Sequence, residues 1–273
     1  MKAKPSSRSY SLHRLIEHAE VPARAIGIFW LGGPALAFKT SAKCVYVIDP
    51  VFSDWEDSGP VGAIDVRPDV VLCTLHAPDG IDVSTLSHIA TAYPEARFIG
   101  SETGRDCMIG RGGHAGSDEV PINPARVHVI DPGLRMDIRR VGLRDSLRIL
   151  ALPDGDGCGP MNAIFSFGAL HVCLARRVSG SEGVDRLCAA ARPRVDVLVW
   201  SLKAENLEAF PEAVERLRPR YAVPIDYDRG VDGRSAARKF REQAAGVTGV
   251  QVYLYPEDYM EGLVYSRIMR RRK

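Results

Sequence analysis

The chain has 273 residues, is 45% hydrophobic and 26% charged, and carries a net charge of +2. These values fit an ordinary globular protein with room for a sizeable core in one large domain. A balance so close to neutral singles out no partner, and with no run of roughly 18 apolar residues no membrane-spanning helix is expected.

In chain order, Ser11–Ala19 reads as a short helix with Leu12, Leu15 and Ile16 on one face. Three strand-like runs follow at 25–31, 35–39 and 44–48, separated by Gly32-Gly33-Pro34 and by 40–43, which predicts an antiparallel meander. The third ends at Asp49-Pro50, where proline cannot donate to a ladder. The rhythm then changes. A buried-type strand at 69–74, a helix at 84–92, a strand at 97–99 and a helix at 102–109 lead into a loop at 110–124. Short strands are expected at 126–130, 134–138, 146–152, 163–167 and 171–175. The remainder alternates: helix 183–191, strand 195–200, a helix near 211–217, strand 221–225, helix 235–245 and strand 250–255.

Strands in two blocks, each followed by alternating helices, are explained by two mixed sheets packed face to face with helices outside. The rhythm alone leaves the topology open. No linker, low-complexity segment or fixed-period repeat occurs, so residues 1–273 read as one domain. Its N-terminal helical extension covers 1–20, and a basic tail at 267–273 ends in Arg270, Arg271, Arg272 and Lys273. The six cysteines form no C-x-x-C pair, and several sit in apolar runs. That pattern suits buried reduced thiols, and with the polar Met1–Tyr10 segment it implies a cytoplasmic protein.

Several strings, in order, resemble the metallo-β-lactamase superfamily and its ascorbate-6-phosphate lactonase-like branch. Phe29-Trp30-Leu31-Gly32 followed by Phe38-Lys39 resembles the first hairpin of that branch. Val47-Ile48-Asp49-Pro50 with Ser53-Asp54 resembles its I-D-P-x-x-S-D turn. Residues 69–74 resemble the strand that delivers the zinc motif, and Pro224-Ile225-Asp226-Tyr227-Asp228 resembles its final P-I-H-Y-D. Together they span roughly residues 25 to 230. The resemblance implies a four-layer αββα sandwich, with the zinc-motif turn 74–82, the loop 153–156, Arg176 and Asp226 at one edge.

It also implies a dizinc centre, and there this sequence departs from the pattern. The T-H-x-H-x-D-H-x-D motif, started at Thr74, puts Leu75, Ala77 and Gly80 at three histidine positions. Asp79 matches a ligand, Asp82 matches the following acid, and His76 is out of register. In Ala151-Leu152-Pro153-Asp154-Gly155-Asp156, Asp156 stands at the next histidine position. In Cys173-Leu174-Ala175-Arg176, Arg176 replaces the bridging aspartate, and Asp226 takes the last histidine position.

Leu, Ala and Gly offer no donor to zinc, and a guanidinium cannot lose its proton to bind a cation. If Arg176 occupies the bridging position, its charge stands among Asp79, Asp156 and Asp226 and neutralises them. No metal or other cofactor is then expected. The alternative is Mg²⁺ or Mn²⁺ at Asp79, Asp156 and Asp226, since all-oxygen sites favour hard ions. Asp49, His76, Asp82, Asp154 and Asp228 are further pocket candidates. For His76 a hydrogen-bonded surface histidine is the simpler reading, and for Asp154 and Asp156 an Asx-turn beside the adjacent glycines is equally open.

Two function classes follow. One is a non-catalytic binding, regulatory or structural protein on a hydrolase fold, with an unidentified small molecule or protein as partner. The other is an enzyme that hydrolyses a small ester, lactone or phosphoester through a rebuilt carboxylate site. A role on nucleic acid, through the tail and Arg139, Arg140 and Arg144, is disfavoured against a solvated tail. No G-x-S-x-G elbow supports a nucleophilic serine.

Overall fold

A computed structural model describes residues 14–52, 66–75, 80–111, 120–139, 146–152, 160–191, 194–227, 233–255 and 262–266. His76, Ala77, Asp79, Asp154, Asp156 and Asp228 lie outside the described residues, as do the start of the N-terminal extension and the basic tail.

The described strands form two seven-stranded sheets. In the first, β1 (Ala25–Gly32), β2 (Ala35–Thr40) and β3 (Val45–Ile48) make the expected meander. Then β4 (Val70–Leu72), β5 (Arg97–Gly100) and β6 (Val127–Val129) join in parallel. In the second sheet, β7 (Arg135–Arg139), β8 (Ser146–Leu152), β9 (Asn162–Phe167) and β10 (Leu170–Ala175) run antiparallel. There β11 (Val197–Ser201), β12 (Tyr221–Ile225) and β13 (Gln251–Val252) are added in parallel. A strand absent from the sequence expectation, β14 (Leu263–Ser266), closes the first sheet by pairing antiparallel with β1.

Strand alternation explains the layering. Ile26, Ile28, Trp30, Leu36 and Phe38 point between the sheets, where they meet Phe165, Val172, Leu174, Val197 and Val199. The intervening Phe29, Leu31, Ala35 and Ala37 point outward under Ile16 of α1 (14–18). Likewise Cys173, Ala175, Leu198 and Trp200 face α4 (Gly180–Ala190), α6 (Phe210–Leu217) and α7 (Gly233–Ala245). Val71, Cys73 and Phe98 face α2 (Val83–Ala92) and α3 (Glu102–Met108). Both faces of each central strand are covered, so these strands read as continuous apolar runs.

The result is the αββα sandwich that the resemblance implies. A short α5 (Ala204–Leu207) was not expected, and several expected ends shift by one to three residues; α4 starts at Gly180 and α6 at Phe210. No helix among the described residues is long and apolar enough to cross a membrane.

Candidate functional site

The carboxyl ends of strands from both sheets, with one hairpin turn, meet at one edge of the sandwich. Ligand sites in open α/β sheets sit at such ends. Asp49 follows β3, Thr74 and Leu75 follow β4, Arg176 follows β10, Ser201 ends β11 and Asp226 follows β12. The Gly33-Pro34 turn between β1 and β2 lies against them, since Asp226 N donates to Gly33 O at 3.2 Å.

Arg176 continues the alternation of Val172 and Leu174, so its side chain enters the space between the sheets. It is 2% exposed. Its Nη2 donates to Asp49 Oδ2 and to Pro34 O, each at 2.5 Å, and its Nε donates to Thr74 Oγ1 at 3.2 Å. Among the described residues its Nη1 finds no hydrogen-bond acceptor; it lies 3.6 Å from Asp226 Oδ2, within ion-pair range but beyond hydrogen-bonding range. The expected approach of Arg176 to Asp226 is therefore found, but the closer partner is Asp49.

Asp49 is placed by its backbone. Its φ of 47° is left-handed, a conformation that aspartate tolerates better than most residues. Its Oδ1 accepts from Thr74 N at 2.5 Å and from Leu75 N at 3.2 Å, and its Oδ2 accepts from Thr74 Oγ1 and Arg176. Asp226 is left-handed as well, with φ 62°, and its Oδ2 accepts from Ser201 Oγ at 2.6 Å. Two strained aspartates thus flank one guanidinium, from opposite sheets.

The backbone of Arg176 is held by two buried asparagines that the sequence reading did not single out. Asn162 Oδ1 accepts from Arg176 N at 2.7 Å and from Arg177 N at 3.1 Å, while its Nδ2 donates to Arg177 O. Asn206 Nδ2 donates to Arg176 O at 2.7 Å and to Ser201 O at 3.0 Å, and its Oδ1 accepts from Val178 N. Asparagine at the start of a strand or in a four-residue helix leaves no periodic signal. Only the three-dimensional meeting of β9, β10 and α5 reveals these roles.

Asp82 caps α2, accepting from Thr85 N and from Phe52 N, each at 2.9 Å. Leu75 and Gly80, on either side of residues 76–79 in the sequence, supply no side-chain donor. Asp49 Oδ2 is already committed to a cation and a hydroxyl, and among the described residues no three His, Cys, Asp or Glu side chains gather into a metal-binding group. The described donors alone do not fit a pair of zinc ions.

No family model matches the chain, and no curated protein matches it by sequence. Solved structures do. Igni18, a metallo hydrolase from the hyperthermophilic archaeon Ignicoccus hospitalis, is 16% identical with a TM-score of 0.61, the match covering 89% of this chain and 99% of that one. The metallo-β-lactamase fold protein YhfI from Bacillus subtilis is 12% identical with a TM-score of 0.55, over 89% and 99% of the two chains. CmlA, a diiron β-hydroxylase from Streptomyces venezuelae, is 14% identical with a TM-score of 0.56, over 90% of this chain and 54% of that one. The two mixed sheets, their helical outer layers and these matches together give the chain the metallo-β-lactamase fold.

Proposed function

We propose that this chain is a metallo-β-lactamase-fold protein that has lost the dizinc hydrolase site and acts without catalysis, as a binding, regulatory or structural protein. The carrying observation is Arg176: a guanidinium 2% exposed, paired with Asp49 and facing Asp226 between the sheets. A guanidinium stays protonated at any physiological pH, so it supplies a fixed cation that cannot bind or activate water as a metal does. The sequence supports the same reading, with Leu75, Ala77 and Gly80 at histidine positions of the family motif.

Elemental analysis of protein purified without chelator tests this, alongside hydrolysis assays on p-nitrophenyl acetate, a simple lactone and bis-p-nitrophenyl phosphate. Substoichiometric zinc and no turnover above buffer are expected. Two zinc ions per chain would overturn the reading.

One observation favours the alternative, a hydrolase with Mg²⁺ or Mn²⁺ at Asp79, Asp156 and Asp226. Asp226 Oδ1 accepts no hydrogen bond among the described residues, leaving an oxygen for a hard cation. Under that reading Mn²⁺ binds in calorimetry and supports turnover, and Asp226→Asn abolishes both.

A further inference from the structure

A cavity bordered by described residues lies at the opposite end of the sheets from Arg176. It measures about 760 Å³, a size that suits a small organic ligand. Cys44 and Tyr46 at the start of β3, Val70 at the start of β4 and Ile138 of β7 line it. The cleft therefore opens between the amino ends of the parallel strands in one sheet and the edge strand of the other.

Its polar lining is unequal in sign. Arg67, Arg97 and Arg139 arrive from three separate elements, against Asp69 and Glu95, which leaves an excess of one positive charge (three minus two). Each acid also has a contact outside the cleft lining. Asp69 Oδ2 accepts from Val45 N at 2.8 Å, and Glu95 acts on the Arg126 guanidinium, favouring its charged form. Asp137, the acid nearest in sequence to Arg139, is taken by Arg148 at 2.8 Å. Arg67 and Arg139 are exposed and make no ion pair among the described residues, while Arg97 gives one donor to Ala125 O at 3.3 Å. Guanidiniums over an apolar, tyrosine-bearing floor suit a ligand with an anionic head and a ring-like body.

We propose that this cleft binds a small organic anion: one apolar ring system carrying a phosphate, sulfonate or carboxylate. Arg67 and Arg139 hold the anionic head, and Tyr46, Val70 and Ile138 receive the ring. The site is independent of Arg176 and of whether the chain catalyses any reaction.

The test uses 8-anilinonaphthalene-1-sulfonate as the probe, titrated by fluorescence against the folded full-length chain. One site per chain is expected, weakening as salt rises. Arg67→Gln and Arg139→Gln should each weaken binding about threefold to tenfold, while Arg238→Gln, an exposed change on α7, leaves it unaltered. The uncharged N-phenyl-1-naphthylamine should bind at least about tenfold more weakly. Because both mutated arginines are exposed, circular dichroism and the unfolding midpoint should match wild type. No binding, equal binding of the uncharged probe, or binding indifferent to both substitutions would each overturn the proposal.

Discussion

Arg176 Nη2 lies 2.5 Å from Asp49 Oδ2, with both side chains shut off from solvent at 2% and 0% exposure. The two residues come from different sheets, so the pair ties the ends of β10 and β3 across the sandwich. Burying two charges is costly, and a pair like this survives only if its remaining donors and acceptors are satisfied. Thr74, Leu75 and Pro34 satisfy most of them.

Arg176→Ala should therefore destabilise the fold by about 3–5 kcal/mol, since it leaves Asp49 buried without its cation. Asp49→Ala should cost more, because it also orphans Thr74 N and Leu75 N. The double variant should be less destabilised than the sum of the two, with a coupling toward the upper end of the roughly 0.5–3 kcal/mol seen for contacting residues. Urea unfolding of the four proteins measures this. An Arg176→Ala midpoint equal to wild type would dismiss the internal-cation account.

The fold was legible where local pattern and turn chemistry agree. Gly32-Gly33-Pro34 and the apolar runs around it set β1 to β3, and the later alternation of helices and strands set β10 to β13. What escaped was non-local or very short. Leu263–Ser266 becomes a strand only because β1, at the other end of the chain, offers it an edge. At the site, Arg176 and Asp226 could be placed from motif register. That Asp49 would be the closer partner could not, because the turn sequence Ile48-Asp49-Pro50 says nothing of what approaches from the opposite sheet. Asp79 and Asp156, the other expected neighbours of Arg176, lie outside the described residues.

Arg176→Asp carries the charge argument further. The introduced carboxylate would face Asp49 and Asp226 with no cation between them. Like charges in a buried site raise one another's pKa and oppose folding at neutral pH. This variant should melt below Arg176→Ala in EDTA, then recover part of the difference on adding millimolar Mn²⁺ or on acidification, which protonates the cluster. Thermal shifts under the three conditions decide it. Identical melting of the two variants throughout would mean that the site carries no net carboxylate repulsion.

Lys39 offers a separate test of how the N-terminal helix is held. It is 4% exposed, and its Nζ donates to Ile16 O and Glu17 O, each at 2.6 Å, at the carboxyl end of α1. A cation at that end satisfies orphan carbonyls and opposes the helix dipole, worth up to about 2 kcal/mol when partly buried. Lys39→Met keeps the apolar stem and removes the charge. Hydrogen exchange of residues 14–19 should accelerate by roughly tenfold or more, with little change at β10 to β12. Unchanged protection at 14–19 would show that packing of Ile16 alone secures the helix.

The buried thiols predict how the fold responds to alkali. Burial pushes the Cys73 thiol well above its ordinary value of 9.0, with Asp49 and Asp82 adding to the shift. Burial, followed by the nearby Cys188, pushes Cys173 to about 12. In the unfolded chain both thiols ionise near 9.0; in the folded chain they stay protonated. Above pH 9 the unfolded state therefore holds fewer protons, and stability falls as pH rises toward the folded values. Cys173 contributes a loss of about 1.4 kcal/mol by pH 10, and Cys73 adds a loss in the same direction. Other groups titrate over the same range, Tyr255 among them, whose buried hydroxyl is also pushed up. The decisive quantity is thus a difference between proteins. Urea midpoints at pH 8 and pH 10 should show that Cys173→Ala loses about 1.4 kcal/mol less than wild type between the two conditions, and that Cys73→Ala also loses less than wild type. An alkaline loss in Cys173→Ala equal to that of wild type would show that this thiol ionises as freely in the folded sandwich as in the open chain.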